Sequence, residues 1–185
     1  MSPRPLIAVI GNNAISPAGE RERIAEGLGR AIIEAGGRLV SGGMDGVMAA
    51  ASRGARSASN YREGDVVGIL PGTDGKQANP FVDIVIPSGM GLARNTLVAL
   101  ADAVIAVGGG AGTLSEIAYA WQFDRLTVAM RVAEGWSGRL ADTRLDERVR
   151  FPNIPDDRVF GASDPEEAVK IVMRRLPAYR SGFSG

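Results

Sequence analysis

Four glycines stand between an apolar run and a helical pattern, in the segment GGGAGTLSE at residues 108–116. Glycine weakens both strands and helices, so this many at one junction need a compensating reason. A backbone without Cβ atoms can aim several N–H groups at one point, and the following helix adds the positive end of its dipole. The segment predicts a phosphate site formed by Gly109, Gly110, Gly112 and the hydroxyl of Thr113. The alternative is tight helix–sheet packing without a ligand.

Two charged residues are candidates for chemistry at such a site. Glu116 follows Thr113 at the spacing of a capping box, which is a purely structural role. Otherwise its carboxylate faces the ligand, where it holds ribose hydroxyls or stabilises positive charge that develops on a sugar. Arg94 follows a predicted strand end, and there it would clamp a phosphate or orient a base, with Asn95 adding a hydrogen bond. The alternative for Arg94 is a solvated surface arginine.

Two further glycine-rich junctions also follow predicted strands, GNNAISPAG at 11–19 and SGGMDG at 41–46. Glycine lets the backbone approach a sugar or a base closely. These junctions supply four more candidate binding residues: Gly11, Asn12, Gly42 and Gly43. We assign three nearby methionines to the core rather than to the site: Met44, Met48 and Met90.

Apolar runs that alternate with helical patterns must position these junctions. Strands are predicted at 5–11, 38–43, 65–72, 81–89, 102–110 and 125–130, with a closing strand or extended piece at 158–163. Helices are predicted at 20–37, 47–58, 91–101, 112–123 and 164–176, the last with Asp164 as its N-cap. Strands that are apolar throughout indicate a mostly parallel sheet covered on both faces. We therefore predict an α/β fold, a single doubly wound Rossmann-like domain over 1–185 with six or seven strands.

The remaining segments are predicted to be less regular. Residues 131–158 are expected to form an irregular segment, and residues 180–185 a disordered tail. In a doubly wound sheet the ligand site lies at the carboxyl ends of the strands, near the point where strand order reverses. All three glycine junctions fall at such ends, and this coincidence supports one shared site.

The composition excludes several kinds of chemistry. Lys plus Arg and Asp plus Glu are 21 each, so no net field attracts nucleic acid or an anionic membrane. The chain has no cysteine and no histidine, which removes thiolate nucleophiles, His-based triads and the usual transition-metal ligands. No carboxylate cluster predicts a metal site. The N-terminal apolar run is too short for a signal peptide or a membrane span, so a cytoplasmic protein is expected.

Three segments together resemble the Lonely Guy (LOG)-like family: SGGMDGVMAAASRGA, GMGLARN and GGGAGTLSE. The resemblance covers residues 5–130 and is strongest to the branch with the molybdenum-cofactor carrier proteins and other Rossmann-like nucleotide-binding proteins. Members were formerly mislabelled lysine decarboxylases. That reaction uses pyridoxal phosphate on a lysine, and neither Lys76 nor Lys170 is at a glycine junction.

The resemblance implies what the site residues do. In LOG enzymes the corresponding arginine and glutamate serve hydrolysis of a nucleoside 5′-monophosphate to free base and ribose 5-phosphate, so Arg94 and Glu116 are the implied catalytic residues. Gly108 replaces the family proline and Asn95 the family lysine, and both departures favour the carrier branch. Two functions stay open: a phosphoribohydrolase acting on N-glycosyl bonds, or a non-catalytic carrier of molybdenum cofactor or another phosphorylated ligand.

Neither function requires a cofactor for chemistry. The expected partner is a phosphorylated small molecule, either a nucleoside monophosphate or a ligand of the molybdopterin type. The family resemblance further implies a homodimer or homotetramer. Tyr119 and Trp121 are candidates for a subunit contact, with burial in the core as the alternative.

Overall fold

Seven parallel strands form one sheet in the computed structural model, which describes residues 3–132 and 134–181. The order across the sheet is β4-β3-β2-β1-β5-β6-β7. The strands are β1 (Leu6–Gly11), β2 (Arg38–Ser41), β3 (Val66–Leu70), β4 (Ile84–Pro87), β5 (Ala103–Val107), β6 (Leu126–Met130) and β7 (Phe160–Ala162). The predicted α/β class and the parallel Rossmann-like sheet are confirmed.

Helices cover both faces of this sheet, which is why its central strands are apolar throughout. They are α1 (Glu20–Glu34), α2 (Val47–Arg56), α3 (Asn95–Ala99), α4 (Ala111–Gln122), α5 (Trp136–Leu140) and α6 (Pro165–Ser181). A 3₁₀ turn, Gly91–Arg94, leads directly into α3. Helices α1, α2 and α6 pack in one hydrophobic core, and α3 and α4 pack in a second core on the other face.

Strand order reverses between β1 and β5. From β1 the chain moves outward through β2 and β3 to β4, and from β5 it moves the other way to β7. The loops that leave β1 and β5 therefore diverge to opposite faces and open a crevice between them. Gly11 pairs in register with Val107, the residue before the three consecutive glycines. The topology thus brings the first and third glycine junctions side by side.

The segment predicted to be irregular, residues 131–158, contains the short helix α5. Five helical residues are too few for a hydrophobic period to be visible in the sequence. Tertiary hydrogen bonds hold the start of this helix, because Trp136 N donates to Gly109 O and Ser137 N donates to Gly108 O. The prediction missed α5 because these partners lie far away along the chain.

The last helix is longer than predicted. Its N-cap is confirmed, since Asp164 Oδ1 accepts from Glu167 N at 2.7 Å. The helix continues past Pro177 to Ser181, so Arg180, which the prediction placed in a disordered tail, is helical. The final turn is anchored because Tyr179 is buried and its hydroxyl donates to Asp157, while Arg180 pairs with Asp102 at 2.7 Å. Residues 182–185 of the predicted tail lie outside the described residues.

Candidate functional site

A cleft of about 330 Å³ opens where the strand order reverses. It brings together both predicted catalytic residues and seven of the nine predicted binding residues: Arg94, Glu116, Gly11, Asn12, Gly42, Asn95, Gly110, Gly112 and Thr113. These residues come from four separate stretches of the chain. The three glycine junctions therefore meet in one cleft at the carboxyl ends of the strands, and its use as a ligand site stays a prediction.

The first turn of α4 forms one wall of the cleft. Gly110 is the N-cap residue, and the first hydrogen bond within the helix runs from Leu114 N to Gly110 O at 3.0 Å. The N–H groups of Ala111, Gly112 and Thr113 therefore have no acceptor inside the helix. Together with the helix dipole they form a site suited to an anion. We call residues 110–113 the cradle.

Two glycines of the cradle are not needed by the packing of the chain. A Cβ atom added to Gly110 or Gly112 would find no heavy atom within 4 Å. Neither residue has a positive φ, so an alanine would fit the backbone at both positions. The space that their missing side chains leave open belongs to the cleft, where a bound group can approach the backbone amides closely.

Two other predicted binding residues serve the fold instead. Gly109 has φ +95°, and a Cβ there would overlap the side chain of Thr113. Gly43 has φ +71°, and a Cβ there would lie 3.0 Å from the Cα of Gly68. Both glycines allow close approach of other parts of the chain, and neither lines the cleft. The prediction that Gly43 and Gly109 contact the ligand is therefore corrected, because neither residue faces the cleft.

Glu116 does not form a capping box with Thr113. The helix begins at Ala111, so Thr113 lies inside the first turn rather than at the cap, and the N-cap has no side-chain hydrogen bond. The carboxylate of Glu116 instead lies in the cleft, 3.4 Å from a guanidinium nitrogen of Arg94. The solvated-arginine alternative is also excluded, because only 10% of the Arg94 side chain is exposed.

Burial dominates the electrostatics of this pair. It raises the pKa of Glu116 from 4.5 to about 7, against the opposing attraction of Arg94. It also lowers the pKa of Arg94, which the charge of Glu116 partly offsets. Glu116 accepts from only one nitrogen of the Arg94 guanidinium, and the distance is long for a charged hydrogen bond. Most N–H donors of Arg94 therefore have no bond to Glu116. Near neutral pH Glu116 can either accept or donate a proton.

Two asparagines and one glycine hold the walls of the cleft in place. Asn12 Oδ1 accepts from Gly109 N at 2.8 Å. Asn95 Nδ2 donates to Ser115 Oγ at 3.0 Å, which links α3 to α4. Gly42 makes room for Arg94, because a Cβ at Gly42 would lie 2.5 Å from the guanidinium nitrogens. Glycine at position 42 thus allows the buried position of the arginine.

Sequence reasoning missed five residues that line the cleft: Ile10, Asn13, Met44, Met48 and Leu92. The assignment of Met44 and Met48 to the core alone is wrong, since both also face the cleft. Met44 lies within the second glycine junction and Met48 in the first turn of α2, and this closeness to the junction was the available signal. Met90 is 43% exposed, so it is not a core residue either.

The two aromatic candidates for a subunit contact differ in their surroundings. Trp121 is 1% exposed, its Nε1 donates to Asp146, and the guanidinium of Arg150 lies 3.6 Å from its ring centroid. It is a core residue, so of the two alternatives for Trp121 burial in the core holds. Tyr119 is 38% exposed and stacks on Phe123.

No three His, Cys, Asp or Glu side chains of the described residues come together as ligands of a metal would. Within residues 3–132 and 134–181, no helix is both long and apolar enough to cross a bilayer.

Comparisons with known proteins identify the family of the chain. A model of the SLOG cluster4 family matches residues 4–169. An uncharacterized protein of Archaeoglobus fulgidus is 47% identical over 102 residues, which are 55% of this chain and 64% of that protein, so the match covers less than two thirds of the relative.

Two solved structures match almost the whole chain. The molybdenum cofactor binding protein of Rippkaea orientalis is 31% identical, with 95% of this chain and 99% of that chain covered and a TM-score of 0.76. The molybdenum cofactor carrier protein of Chlamydomonas reinhardtii is 28% identical, with the same coverage and a TM-score of 0.71. The chain is therefore a LOG-like protein that belongs to the SLOG cluster4 family.

Proposed function

We propose that this protein binds and carries a phosphorylated small molecule of the molybdenum cofactor type, with the phosphate held by the cradle. The observation that carries the proposal is the open space at Gly110 and Gly112, two glycines that the chain needs neither for packing nor for backbone conformation. A ligand that approaches the amides closely accounts for both. The two solved relatives named for molybdenum cofactor, a phosphorylated pterin, support this class of ligand.

The charges of the cleft fit a ligand with one phosphate. Among the described residues that line it, Arg94 is the one with a positive charge, and Glu116 opposes it. Phosphate oxygens would accept from the cradle amides and from the unused donors of the guanidinium. Apolar side chains of Met44, Met48 and Leu92 provide a surface against which a flat ring system can pack.

The test compares Gly112→Ala with Gly75→Ala. Position 112 lies within a helix, where alanine stabilises by about 0.5–1 kcal/mol relative to glycine. At the same time the new methyl group fills the space beside the amides. Gly75 is the matched control, because a Cβ there meets only Val85 at 3.6 Å and the residue does not line the cleft.

Each protein is expressed in a host that makes molybdenum cofactor and is purified without oxygen. The ligand is released by denaturation, and its oxidised pterin is measured by fluorescence and mass spectrometry. Wild type and Gly75→Ala should release equal amounts, whereas Gly112→Ala should release several-fold less without a loss of melting temperature. Absence of any phosphorylated ligand from the wild type, or full retention by Gly112→Ala, would overturn the proposal.

A second candidate function is hydrolysis of nucleoside 5′-monophosphates, and the pair of Arg94 and Glu116 in the cleft is the observation that favours it. A carboxylate beside a phosphate site could stabilise the positive charge of a sugar during loss of its base. Incubation with AMP, GMP, CMP and IMP tests this by release of free base. Release by wild type and its loss in Glu116→Gln would support hydrolysis, while release that persists in Glu116→Gln would show that Glu116 is not catalytic.

We also propose a homo-oligomer whose contact uses the outer face of α3 and α4. The exposed apolar side chains are Leu97 on α3, Leu100 directly after α3 and Tyr119 on α4, and Leu92 is 86% exposed at the rim of the cleft. Large apolar side chains grouped on one face favour an interface. A second copy on this face would cover Leu92 and so narrow the entrance to the cleft.

A further inference from the structure

The glycines that precede the cradle are held by a segment that lies outside the cleft. Ser137 is fully buried, and its Oγ accepts from Gly108 N at 2.7 Å and donates to Met130 O at 2.8 Å. Its own N–H donates to Gly108 O at 2.9 Å. One residue of α5 therefore occupies both backbone polar groups of Gly108 and ties them to the end of β6.

The next residue is held in the same way from two sides. Gly109 N donates to Asn12 Oδ1 at 2.8 Å, and Gly109 O accepts from Trp136 N at 3.1 Å. All four backbone polar groups of Gly108 and Gly109 are thus occupied. Both residues have positive φ, so their peptide planes are turned away from an ordinary helix start. The direction in which the chain enters the cradle is fixed by these bonds.

Close contact reinforces the hydrogen bonds. Gly135 has φ +98°, and a Cβ there would lie 2.6 Å from the carbonyl carbon of Gly108. From α1, Arg21 donates to Glu134 O at 3.2 Å and pairs with the carboxylate of Glu134 at 3.1 Å. Residues 135–137 therefore contact Gly108 and Gly109, which we call the glycine loop, while Glu134 is held by α1.

We propose that residues 134–137 position the cradle for anion binding, with Ser137 as the main positioning residue, although none of them lines the cleft. This inference rests on the proposed function. Unpaired amides bind an anion well only when they already converge on it, because ordering them during binding costs free energy. The bonds to Gly108 and Gly109 provide that order before a ligand arrives.

The test uses the full chain labelled with ¹⁵N-glycine and compares Ser137→Ala with Ser52→Ala. Ser52 is the matched control, since it is also fully buried and donates one hydrogen bond, to Met48 O within α2, but does not touch the glycine loop. Three quantities are measured: the hydrogen-exchange rate of the Gly108 amide without ligand, the shifts of the Gly110 and Gly112 amides in a titration with inorganic phosphate, and stability in urea.

Ser137→Ala should exchange the Gly108 amide faster and bind phosphate about tenfold more weakly, the equivalent of one net hydrogen bond. Ser52→Ala, which loses a single buried hydrogen bond, should keep wild-type exchange at Gly108 and wild-type phosphate binding. Gly135→Ala, which displaces the segment without removing a polar group, should weaken phosphate binding as Ser137→Ala does. Gly135→Ala also tests the positioning role if Ser137→Ala does not fold.

Two negative results are distinguishable. If phosphate leaves Gly110 and Gly112 of the wild type unshifted, the cradle does not bind anions, and both the proposed function and the positioning role are overturned. If the wild type responds and Ser137→Ala binds phosphate equally well despite faster exchange at Gly108, the positioning role alone is overturned.

Discussion

Replacement of Glu116 by glutamine is expected to stabilise the protein above neutral pH. The carboxyl group has a pKa of about 7 in the folded protein and 4.5 as its usual value, and burial is the main cause. Between pH 4.5 and about pH 7, the carboxyl group of the folded state holds a proton that the unfolded state has released. Stability therefore falls as the pH rises from 4.5 through 7, and this difference in pKa corresponds to about 3 kcal/mol.

Glutamine has the shape of the protonated carboxyl group and cannot ionise. Below pH 4.5 we therefore expect wild type and Glu116→Gln to have similar free energies of unfolding. At pH 8 Glu116→Gln should be more stable by up to about 3 kcal/mol. Glu147→Gln is the control, because Glu147 is exposed and the change should leave the pH dependence as it is in wild type.

Urea denaturation at half-unit steps from pH 4 to pH 8 measures the difference. The opposite expectation comes from the ion pair, since removal of one partner from a buried pair commonly destabilises by about 3–5 kcal/mol. The 3.4 Å contact with Arg94 is too weak to repay burial of the carboxylate, which is why we expect stabilisation. A variant less stable than wild type at pH 8, or a difference that does not change with pH, would refute this reasoning.

Two further predictions concern the core and the outer surface. Arg150→Met should destabilise the protein by about 3–5 kcal/mol in urea, because the fully buried Arg150 side chain pairs with Asp157 at 2.6 Å and its removal leaves a buried carboxylate without this partner. Arg30→Met, at an exposed position, should lower the free energy of unfolding far less, and equal losses in the two variants would contradict the prediction. Leu100→Glu should reduce the molar mass measured by light scattering to that of a monomer, whereas Val149→Glu, at a 68% exposed position, should leave the molar mass unchanged. An oligomer that survives Leu100→Glu would exclude the face of α3 and α4 as the contact.

The sequence by itself determined the fold class and the region of the site. Apolar strands that alternate with helices allow few arrangements other than a covered parallel sheet, and the carboxyl ends of such strands share one edge. For this reason Gly11, Gly42, Arg94 and Gly110 could be assigned to one cleft although they are spread over a hundred residues. Local signals also sufficed for the N-cap of α6 at Asp164, because a cap depends only on its immediate neighbours.

Only the tertiary structure decided what each residue does in that cleft. Glu116 fits a capping box by spacing, but its partner is Arg94, 22 residues earlier. Gly109 and Gly110 are adjacent in sequence, yet one is packed under Thr113 and the other faces open space. Helix α5 is invisible as a pattern because distant backbone groups hold it. Burial and long-range contacts decide the role of each of these residues. Both depend on which surfaces the folded chain brings together, and the local sequence does not contain that information.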